Sequence, residues 1–357
     1  MPSFRVETPQ HSYTAVVERG VIASTAQYLP PNAGKVFVVS DEGIWRHQGA
    51  RVARALAGVD NEVLFLPGGE DQKRLAPLEV LADRMVELGA DRTSVIVAFG
   101  GGIVTDMAGF LAAIFMRGIP LVQIPTTLLG QVDAGIGGKT GVNLVSGKNL
   151  IGSFHPPVAV LIDPDLLDTL PEREYRSGLY EIIKAGIIRD RALFDFLAAE
   201  SGAVLGRASH AVDRIIEDSV RMKAEVVSSD EREGDLRRIL NFGHTFGHAL
   251  ETETSYTRFV HGEAVAWGMR AAAYLAESTG HLSAEDCVEI LDMLRVYGPI
   301  PPLDGISAGN LHARLVHDKK TVHGKVHFVL PVRIGEAVVV SGVDDKLVRE
   351  AIRSALA

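Results

Sequence analysis

Cysteine is almost absent from this chain of 357 residues, and its one copy is Cys287. A single thiol cannot form an intrachain disulfide, which fits a reducing compartment, and it excludes a zinc site built mainly from thiolates. The sequence has no uninterrupted apolar run near the ~18 residues of a membrane span, and its N-terminal segment lacks the apolar core of a signal peptide. These absences predict a cytoplasmic protein with no membrane partner.

Basic residues are fewer than acidic ones: the chain has 36 Lys and Arg and 45 Asp and Glu, which gives a formal net charge of −9. This balance argues against a nucleic-acid partner. An acidic enzyme that binds anionic substrates must therefore concentrate Lys and Arg locally. The chain is also long enough for two domains.

Short apolar runs alternate with helical patterns up to about residue 160. The runs are Val36–Val39, Val63–Leu66, Val95–Phe99 and Leu121–Ile124. Such runs suit strands buried on both faces of a parallel sheet, and the segments between them, such as 74–88, have helical spacing. This alternation predicts an α/β nucleotide-binding domain over residues 1–164.

Helical spacing dominates after residue 165. Helices are predicted at 174–189, 208–228, 240–253, 262–279 and 284–296, and strands at 325–330 and 336–341. The pattern predicts a second, mainly α-helical domain over 165–357. The functional site is expected in the cleft between the two domains.

A glycine run, Gly100-Gly101-Gly102, lies between a predicted strand and a helix predicted from Thr105 to Phe115. Glycine lets a backbone approach a pyrophosphate, and the N–H groups at a helix start attract anions. Thr105 and Asp106 are candidate caps for that helix. The spacing differs from G-x-G-x-x-G, and a purely structural turn is the alternative interpretation.

Two further strand ends carry polar groups. A carboxylate at Asp41 is suited to accept hydrogen bonds from ribose hydroxyls and to disfavour a 2′-phosphate. Thr126 and Thr127 offer two hydroxyls at the end of another strand. Each of these features, taken singly, also suits ordinary turn and cap chemistry.

The segment 133–156 is rich in glycine and contains Lys139, Lys148 and Asn149. It has no strong periodicity, so we predict a long functional loop. Two lysines and an amide suit a phosphate or a polyol. A solvated loop without a ligand is the alternative.

Histidines are concentrated in the predicted helical domain. His244 and His248 are spaced to share one face of a helix, as in zinc proteases, but the protease glutamate between them is missing. His261 opens another predicted helix, and Glu181 lies beside apolar residues. These groups suit Zn²⁺ or Co²⁺, but spacing alone leaves open which three bind. A hydrogen-bonded structural role is the alternative for each histidine.

These motifs, in this order, resemble the 3-dehydroquinate synthase family of sugar-phosphate cyclases. The matching segments are Gly100–Gly102 with Thr105-Asp106, Pro125–Leu129, Val132-Asp133, Ile136–Thr140, Gly147–Gly152, Asn241–His248 and His261–Glu263. The resemblance implies a homodimeric lyase that uses NAD⁺ and one Zn²⁺ or Co²⁺ per chain. Its substrate would be the sugar-acid phosphate 3-deoxy-D-arabino-heptulosonate 7-phosphate, converted by transient oxidation, phosphate elimination, re-reduction, ring opening and an aldol closure.

The resemblance also assigns site residues. It implies Glu181, His244 and His261 as metal ligands and leaves His248 to contact substrate. NAD⁺ would contact Asp41, Glu70, Lys73, Gly101, Gly102, Asp106, Thr126, Thr127, Lys139, Lys148 and Thr169. The substrate would contact Asp133, Lys139, Asn149, Lys184, Lys223, Arg237, Asn241, His248 and one or both of Lys319 and Lys320. Arg117 would reach the phosphate pocket of a partner subunit.

Arg237 is the candidate for binding the substrate carboxylate. It precedes Asn241 by one turn, on the same face if the helix begins early, and one further turn reaches His244. A guanidinium offers parallel donors to a planar carboxylate. A plain surface charge is the alternative.

Three other functions share part of this pattern. A sister sugar-phosphate cyclase would lack a pocket for the substrate carboxylate, and a metal-dependent polyol dehydrogenase would release NADH stoichiometrically. A silent NAD-binding regulatory protein would be favoured by loss of a metal ligand, and none is lost. The chain departs from the family pattern at Gly68, where an aspartate is more usual.

Overall fold

A computed structural model describes residues 2–9, 11–317 and 326–357. None of the helices in these ranges combines the length and the apolar composition that a membrane span requires. Lys319 and Lys320, expected near the substrate, lie outside the described residues.

The chain forms two compact units. The first unit comprises Met1–Tyr175 and Ser219–Arg232, and the second comprises Arg176–Asp218 and Glu233–Ala357. The sequence pattern placed one boundary after residue 164. The segment 219–232 instead returns to the first unit.

A mostly parallel sheet lies at the centre of the first unit. In chain order the strands are β1 Ser3–Glu7, β2 Ser12–Val17, β3 Val36–Asp41, β4 Asn61–Leu66, β5 Val95–Gly100, β6 Leu121–Pro125, β7 Lys139–Leu144, β8 Gly147–Phe154 and β9 Ala159–Ile162. Seven of them form one sheet in the order β1-β2-β9-β6-β5-β3-β4. All its neighbours pair in parallel except β1 and β2. The predicted parallel α/β domain is therefore confirmed.

Helices cover both faces of this sheet. They are α1 Glu42–Ala55, α2 Leu75–Glu87 and α3 Gly102–Ile114, with short helical turns at Val21–Tyr28, Glu70–Gln72, Phe115–Arg117, Gly130–Ala134 and Pro164–Thr169. In β3, Phe37 and Val39 belong to one hydrophobic cluster while Val36 and Val38 belong to another. Successive strand residues face opposite sides, and each buried side chain stabilises the fold by about 1.5–3 kcal/mol. Burial on both faces explains why the strand is apolar throughout.

The predicted loop at 133–156 is wrong, because most of it forms an antiparallel hairpin of β7 and β8. Gly141 and Gly152 face each other across the two strands. A Cβ on Gly152 would lie 2.1 Å from the carbonyl oxygen of Thr140. Close strand contact here depends on glycine, and so the segment lacks the side chains from which strands are usually recognised.

Helices dominate the second unit. Along the chain follow α4 Glu172–Ile188, α5 Arg191–Ala199, α6 Ser201–Leu205, α7 Ser209–Ser229, a 3₁₀ helix Leu236–Asn241, α8 His244–Glu253, α9 His261–Ser278, α10 Ala284–Val296, α11 Ala308–His317, β10 His327–Arg333, β11 Glu336–Ser341 and α12 Asp345–Leu356. The first turn of α4 and the part of α7 from Ser219 onward belong to the first unit. Helix α9 is buried along most of its length. Its Trp267 donates a hydrogen bond of 3.1 Å to the carbonyl of Ala355, which ties α9 to α12.

The predicted continuous helix 240–253 is broken at Gly243. This residue has φ 76°, which is left-handed, and the 3₁₀ helix ends before it. A Cβ on Gly243 would lie 2.6 Å from Cγ of Met269. Arg237 and His244 therefore lie on separate helices, so the argument that placed them on one helix face is wrong.

Candidate active site

Three side chains of the second unit converge: Glu181 of α4, His244 at the start of α8 and His261 at the start of α9. Their ligand atoms lie within 4.8 Å of one another. Oε1 of Glu181 is 3.8 Å from Nε2 of His244 and 3.7 Å from Nε2 of His261. Two atoms bound to one Zn²⁺ at about 2.0–2.1 Å can lie up to about 4.2 Å apart. Both distances therefore allow a shared cation.

The surroundings of Glu181 also suit a cation. The side chain is buried, and its Oε1 has no hydrogen-bond partner among the described residues. Oε2 forms an ion pair with Nζ of Lys184, while Oε1 faces the two imidazole nitrogens at distances too long for hydrogen bonds. A buried oxygen of this kind costs free energy unless a donor or a metal ion satisfies it. The residues present therefore fit a divalent metal ion.

Glycines allow the three helices to come this close. The N–H of Gly262, next to His261, donates a 3.0 Å hydrogen bond to Oγ of Ser177 in α4. A Cβ on Gly262 would lie 2.1 Å from the Ser177 carbonyl oxygen, and one on Gly247 would lie 2.9 Å from that of Ala264. Larger residues would separate α9 from α4 and α8, and with them the ligand atoms.

His248 lies one turn after His244, beside Glu251. Its Nε2 is 4.0 Å from Oε2 of Glu251, and its ring meets that of His244 edge to face at 5.5 Å. His248, Glu251 and His261 form a second group whose ligand atoms lie within 4.8 Å of one another. The sequence predictions missed Glu251, although a position three residues after His248 lies on the same helix face.

In the first unit, α3 begins at Gly102, earlier than predicted, and its N-cap residue Gly101 provides no side-chain cap. The predicted capping by Thr105 and Asp106 is therefore wrong. Oγ1 of Thr105 donates a 3.0 Å hydrogen bond back to the carbonyl of Gly102. The uncapped N–H groups of this helix start are suited to bind a phosphate.

The predicted threonines lie around this helix start. The N–H of Thr126 donates to the Gly100 carbonyl at 2.9 Å, and Oγ1 of Thr127 accepts from the Gly130 N–H at 3.0 Å. A Cβ on Gly101 would lie 3.0 Å from Cγ2 of Thr127. Glycine therefore leaves space here that a side chain would fill.

Thr169 is placed separately, in the turn Pro164–Thr169, where its Oγ1 accepts a 2.9 Å hydrogen bond from Nε2 of Gln48. Gln48 is buried and belongs to α1. The contact fixes the Thr169 hydroxyl against the first helix of the sheet domain.

Asp41 ends β3 and caps α1. Its Oδ1 accepts from the N–H groups of Gly43 and Ile44 at 2.7 and 3.3 Å. A Cβ on Gly68 would lie 2.8 Å from its Oδ2. Oδ2 is the oxygen that remains for a ribose hydroxyl, and glycine at position 68 leaves room for this carboxylate.

Lys73 is buried and joins two predicted site residues. Its Nζ donates to Oδ2 of Asp106 at 2.5 Å and to Oδ1 of Asn149 at 2.6 Å. Burial raises the pKa of Asp106, and the Lys73 ammonium acts in the opposite direction. Lys73 and Asp106, both predicted to contact the cofactor, are thereby connected through Asn149 to the β7–β8 hairpin.

Asn143 provides a second connection to this hairpin and was not predicted. Its Nδ2 donates to Oε1 of Glu70 at 2.8 Å, and its Oδ1 accepts from the N–H of Asn149 at 2.9 Å. Nζ of Lys148 is 3.6 Å from Oε1 of Glu70. In the sequence, Asn143 was recognisable only as another amide in the segment 133–156, which already contained Lys139 and Lys148.

Four further predicted substrate residues of the first unit, Asp133, Lys223, Lys139 and Arg117, differ in their contacts and exposure. Nζ of Lys223 donates to the backbone carbonyl of Asp133 at 2.7 Å and forms an ion pair with its carboxylate. Lys139 is exposed at the start of β7. Arg117 is exposed too, and its φ of 71° is left-handed.

Arg237 and Asn241 belong to the 3₁₀ helix of the second unit. Arg237 is 1% exposed, unusually deep burial for an arginine. Nδ2 of Asn241 donates to Oε1 of Glu233, whose φ is 60°. The predicted surface-charge alternative for Arg237 is therefore wrong.

Two family models together match residues 63–321. They describe the N-terminal part (63–177) and the C-terminal part (178–321) of 3-dehydroquinate synthase. A curated 3-dehydroquinate synthase from Solibacter usitatus (strain Ellin6076) is 72% identical over 357 residues, covering 100% of both chains.

Two solved structures resemble the whole chain. One is the 2-epi-5-epi-valiolone synthase ValA of Streptomyces hygroscopicus subsp. jinggangensis 5008 with NAD⁺ and Zn²⁺ bound, with a TM-score of 0.89, 32% identity and 98% of each chain covered. The other is a 2-deoxy-scyllo-inosose synthase complexed with carbaglucose-6-phosphate, NAD⁺ and Co²⁺, with a TM-score of 0.90, 27% identity and 99% of each chain covered.

Proposed function

The chain belongs to the 3-dehydroquinate synthase family, and from this premise we propose its function. It converts 3-deoxy-D-arabino-heptulosonate 7-phosphate into 3-dehydroquinate and inorganic phosphate, a step of the shikimate pathway to the aromatic amino acids. The reaction eliminates phosphate, so the enzyme is a lyase although hydride moves twice.

The observation that carries this proposal is the buried Oε1 of Glu181 facing Nε2 of both His244 and His261. These residues would hold one Zn²⁺ or Co²⁺ per chain. When bound, NAD⁺ takes and returns a hydride, and the metal ion withdraws electron density from substrate oxygens. The uncapped start of α3 would receive the pyrophosphate of NAD⁺, and Oδ2 of Asp41 would accept its ribose hydroxyls.

The remaining polar residues would bind and orient the substrate. Lys139 and Asn149 lie on the β7–β8 hairpin and would hold the phosphate, where a flexible ammonium and an amide both donate. Lys184, buried beside Glu181, would place positive charge near a substrate oxygen that gains negative charge. Arg237 would bind the carboxylate. His248 would contact the substrate without binding metal.

The test is to count NAD⁺ use against phosphate release. The purified protein is mixed with the seven-carbon keto-acid phosphate, substoichiometric NAD⁺ and Zn²⁺ or Co²⁺, and phosphate, carbocycle and NADH are assayed. We expect phosphate and carbocycle to exceed total NAD⁺ over many turnovers without matching NADH. One NADH formed per phosphate released would overturn the cyclase proposal and favour a dehydrogenase.

A second candidate is a sister sugar-phosphate cyclase, because ValA and 2-deoxy-scyllo-inosose synthase share the fold over nearly the full chain. The substrate carboxylate distinguishes the two functions. The buried Arg237 supports the keto-acid substrate, because a guanidinium is suited to bind a planar carboxylate. Turnover of a neutral sugar phosphate in preference to the keto-acid phosphate would favour this candidate.

A homodimer in the cytoplasm completes the proposal. Ile114, Met116, Leu150 and Phe154 are exposed apolar side chains on α3, the turn after it and β8, and β8 packs against α3. Arg117 lies in the same turn as Met116. Such a group of residues suits an interface with a second copy. Sedimentation should give twice the 38.4 kDa of one chain, and cell fractionation should place the protein in the cytoplasm, where a lone buried cysteine stays reduced.

A further inference from the structure

Glu251 lies beneath His261 and is not among the residues that the family pattern assigns. Its side chain is 2% exposed, and its Oε1 is 3.3 Å from Nδ1 of His261. We infer that Glu251 is a positioning residue: it holds His261 in the tautomer and orientation that aim Nε2 at Glu181. This inference rests on the proposed function, because it concerns the metal site proposed above.

The hydrogen bond determines which ring nitrogen carries the proton. A carboxylate can only accept, so the proton lies on Nδ1 of His261 and Nε2 keeps its lone pair. That Nε2 is 3.7 Å from Oε1 of Glu181. A metal ion requires this arrangement, because a protonated nitrogen cannot be a ligand.

His244 is held in the same way by a different acceptor. Its Nδ1 lies 3.1 Å from the backbone carbonyl of Phe242, and its Nε2 is 3.8 Å from the same Oε1 of Glu181. In both imidazoles, therefore, Nδ1 faces a hydrogen-bond acceptor and Nε2 faces Oε1 of Glu181. The acceptor of His244 belongs to the main chain and cannot be mutated, whereas that of His261 is a side chain.

The position of Glu251 on α8 follows from helix geometry. It is seven residues after His244 and three after His248, so all three share a face. Because Glu251 is buried, its negative charge requires compensation, which the imidazole of His261 provides more fully once a cation binds Nε2. A carboxylate behind a ligating histidine raises the basicity of the ring, and loss of such a partner typically weakens metal binding about 10–100-fold.

The experiment measures metal affinity directly. Metal-free wild type, Glu251→Gln and Glu251→Ala are titrated with Co²⁺ and with Zn²⁺ against a competing chelator. Glu253→Gln is the matched control, because Glu253 lies on the same helix but forms a 3.1 Å ion pair with Arg314 instead. Visible absorption of the bound Co²⁺ reports ligand geometry, and thermal unfolding of the metal-free proteins reports the fold.

We expect the dissociation constant to rise about tenfold in Glu251→Gln and about 100-fold in Glu251→Ala. The Co²⁺ spectrum should change in both variants, while Glu253→Gln should match wild type in both readouts. Unchanged affinity in both Glu251 variants overturns the inference and leaves the proposed function intact. Two ions per wild-type chain and one per Glu251 variant overturns it as well, since Glu251 would then be a ligand. A wild type that binds neither metal overturns the proposed function itself.

Discussion

Gly268 of α9 lies directly against Gly243, so that a Cβ on Gly268 would be 1.9 Å from the Gly243 carbonyl oxygen. Gly243 in turn has the left-handed φ of 76° that ends the 3₁₀ helix and starts α8. Only backbone separates the two helices at this point. The contact fixes the start of α8, where His244 lies, relative to α9, which begins at His261.

We therefore expect Gly268→Ala to force α8 and α9 apart. Overpacking of this kind costs about 1–3 kcal/mol of unfolding free energy, and it should also weaken binding of Zn²⁺. Gly202→Ala in α6 is the control, because a Cβ there meets nothing within 4 Å; that change should leave stability equal or higher. Urea unfolding and metal titration measure both effects, and equal stability of the two variants would contradict the close contact.

His261 and His248, whose ring centroids are 6.2 Å apart, should respond differently to alanine. His261→Ala should lose the metal and all activity, because Nε2 of His261 faces Oε1 of Glu181. His248→Ala should keep the metal and turn over poorly, because His248 is not in the group that Glu181, His244 and His261 form. Elemental analysis of both purified variants decides between them. Metal lost from His248→Ala and kept by His261→Ala would reverse the ligand assignment.

Lys73→Met should destabilise the protein through Asp106. The change leaves a partly buried carboxylate without its cation, which costs at most about 3–5 kcal/mol, and it removes the donor to Asn149. Lys73→Met with Asp106→Asn should recover most of the stability but not the NAD⁺ affinity. Denaturant unfolding and NAD⁺ titration measure the two effects.

The control for this pair is Arg84→Met. Arg84 pairs with Glu87 at 2.8 Å and both side chains are more than half exposed, and an exposed pair contributes at most about 1 kcal/mol. A loss of stability in Arg84→Met as large as that in Lys73→Met would show that the Lys73–Asp106 pair has no special role.

Arg237→Ala tests the carboxylate assignment. Loss of one charge-assisted hydrogen bond costs about 1.5–3 kcal/mol, so kcat/KM should fall roughly 10–200-fold. Arg237→Lys should restore only part, since an ammonium lacks parallel donors. A substrate analogue without the carboxylate should be nearly indifferent to the change. Wild-type kinetics of Arg237→Ala on the keto-acid phosphate would favour a sister cyclase.

The sheet was predictable because burial on both faces leaves an apolar run in the sequence, as in Val36–Val39. The hairpin of β7 and β8 was not predictable from apolar pattern. Its strands approach through Gly141 and Gly152, and these residues carry no side chain that could reveal a strand. The helix break at Gly243 was missed for a related reason, since the space that demands glycine there is occupied by Met269, 26 residues later.

The site was predictable in its residue types but not in its grouping. Spacing alone suggested His244 with His248, whereas the structure brings His244 together with His261 and Glu181 from two other helices. Contacts between residues of different helices depend on how the helices pack, and the residue spacing within one helix does not predict them. The assignment to these three residues came from the family resemblance, and metal binding by them stays a prediction.

The return of Ser219–Arg232 to the first unit has a consequence for synthesis of the chain. Lys223 follows Asp133 by 90 residues, and the whole of 176–218 is translated between the sheet and the segment that completes its unit. The Asp133 carboxylate therefore cannot pair with Lys223 before 223 of the 357 residues have been made, and the first unit is complete only at Arg232. An N-terminal fragment ending at Tyr175 would lack this lysine permanently, so a single cut cannot excise the whole of the first unit.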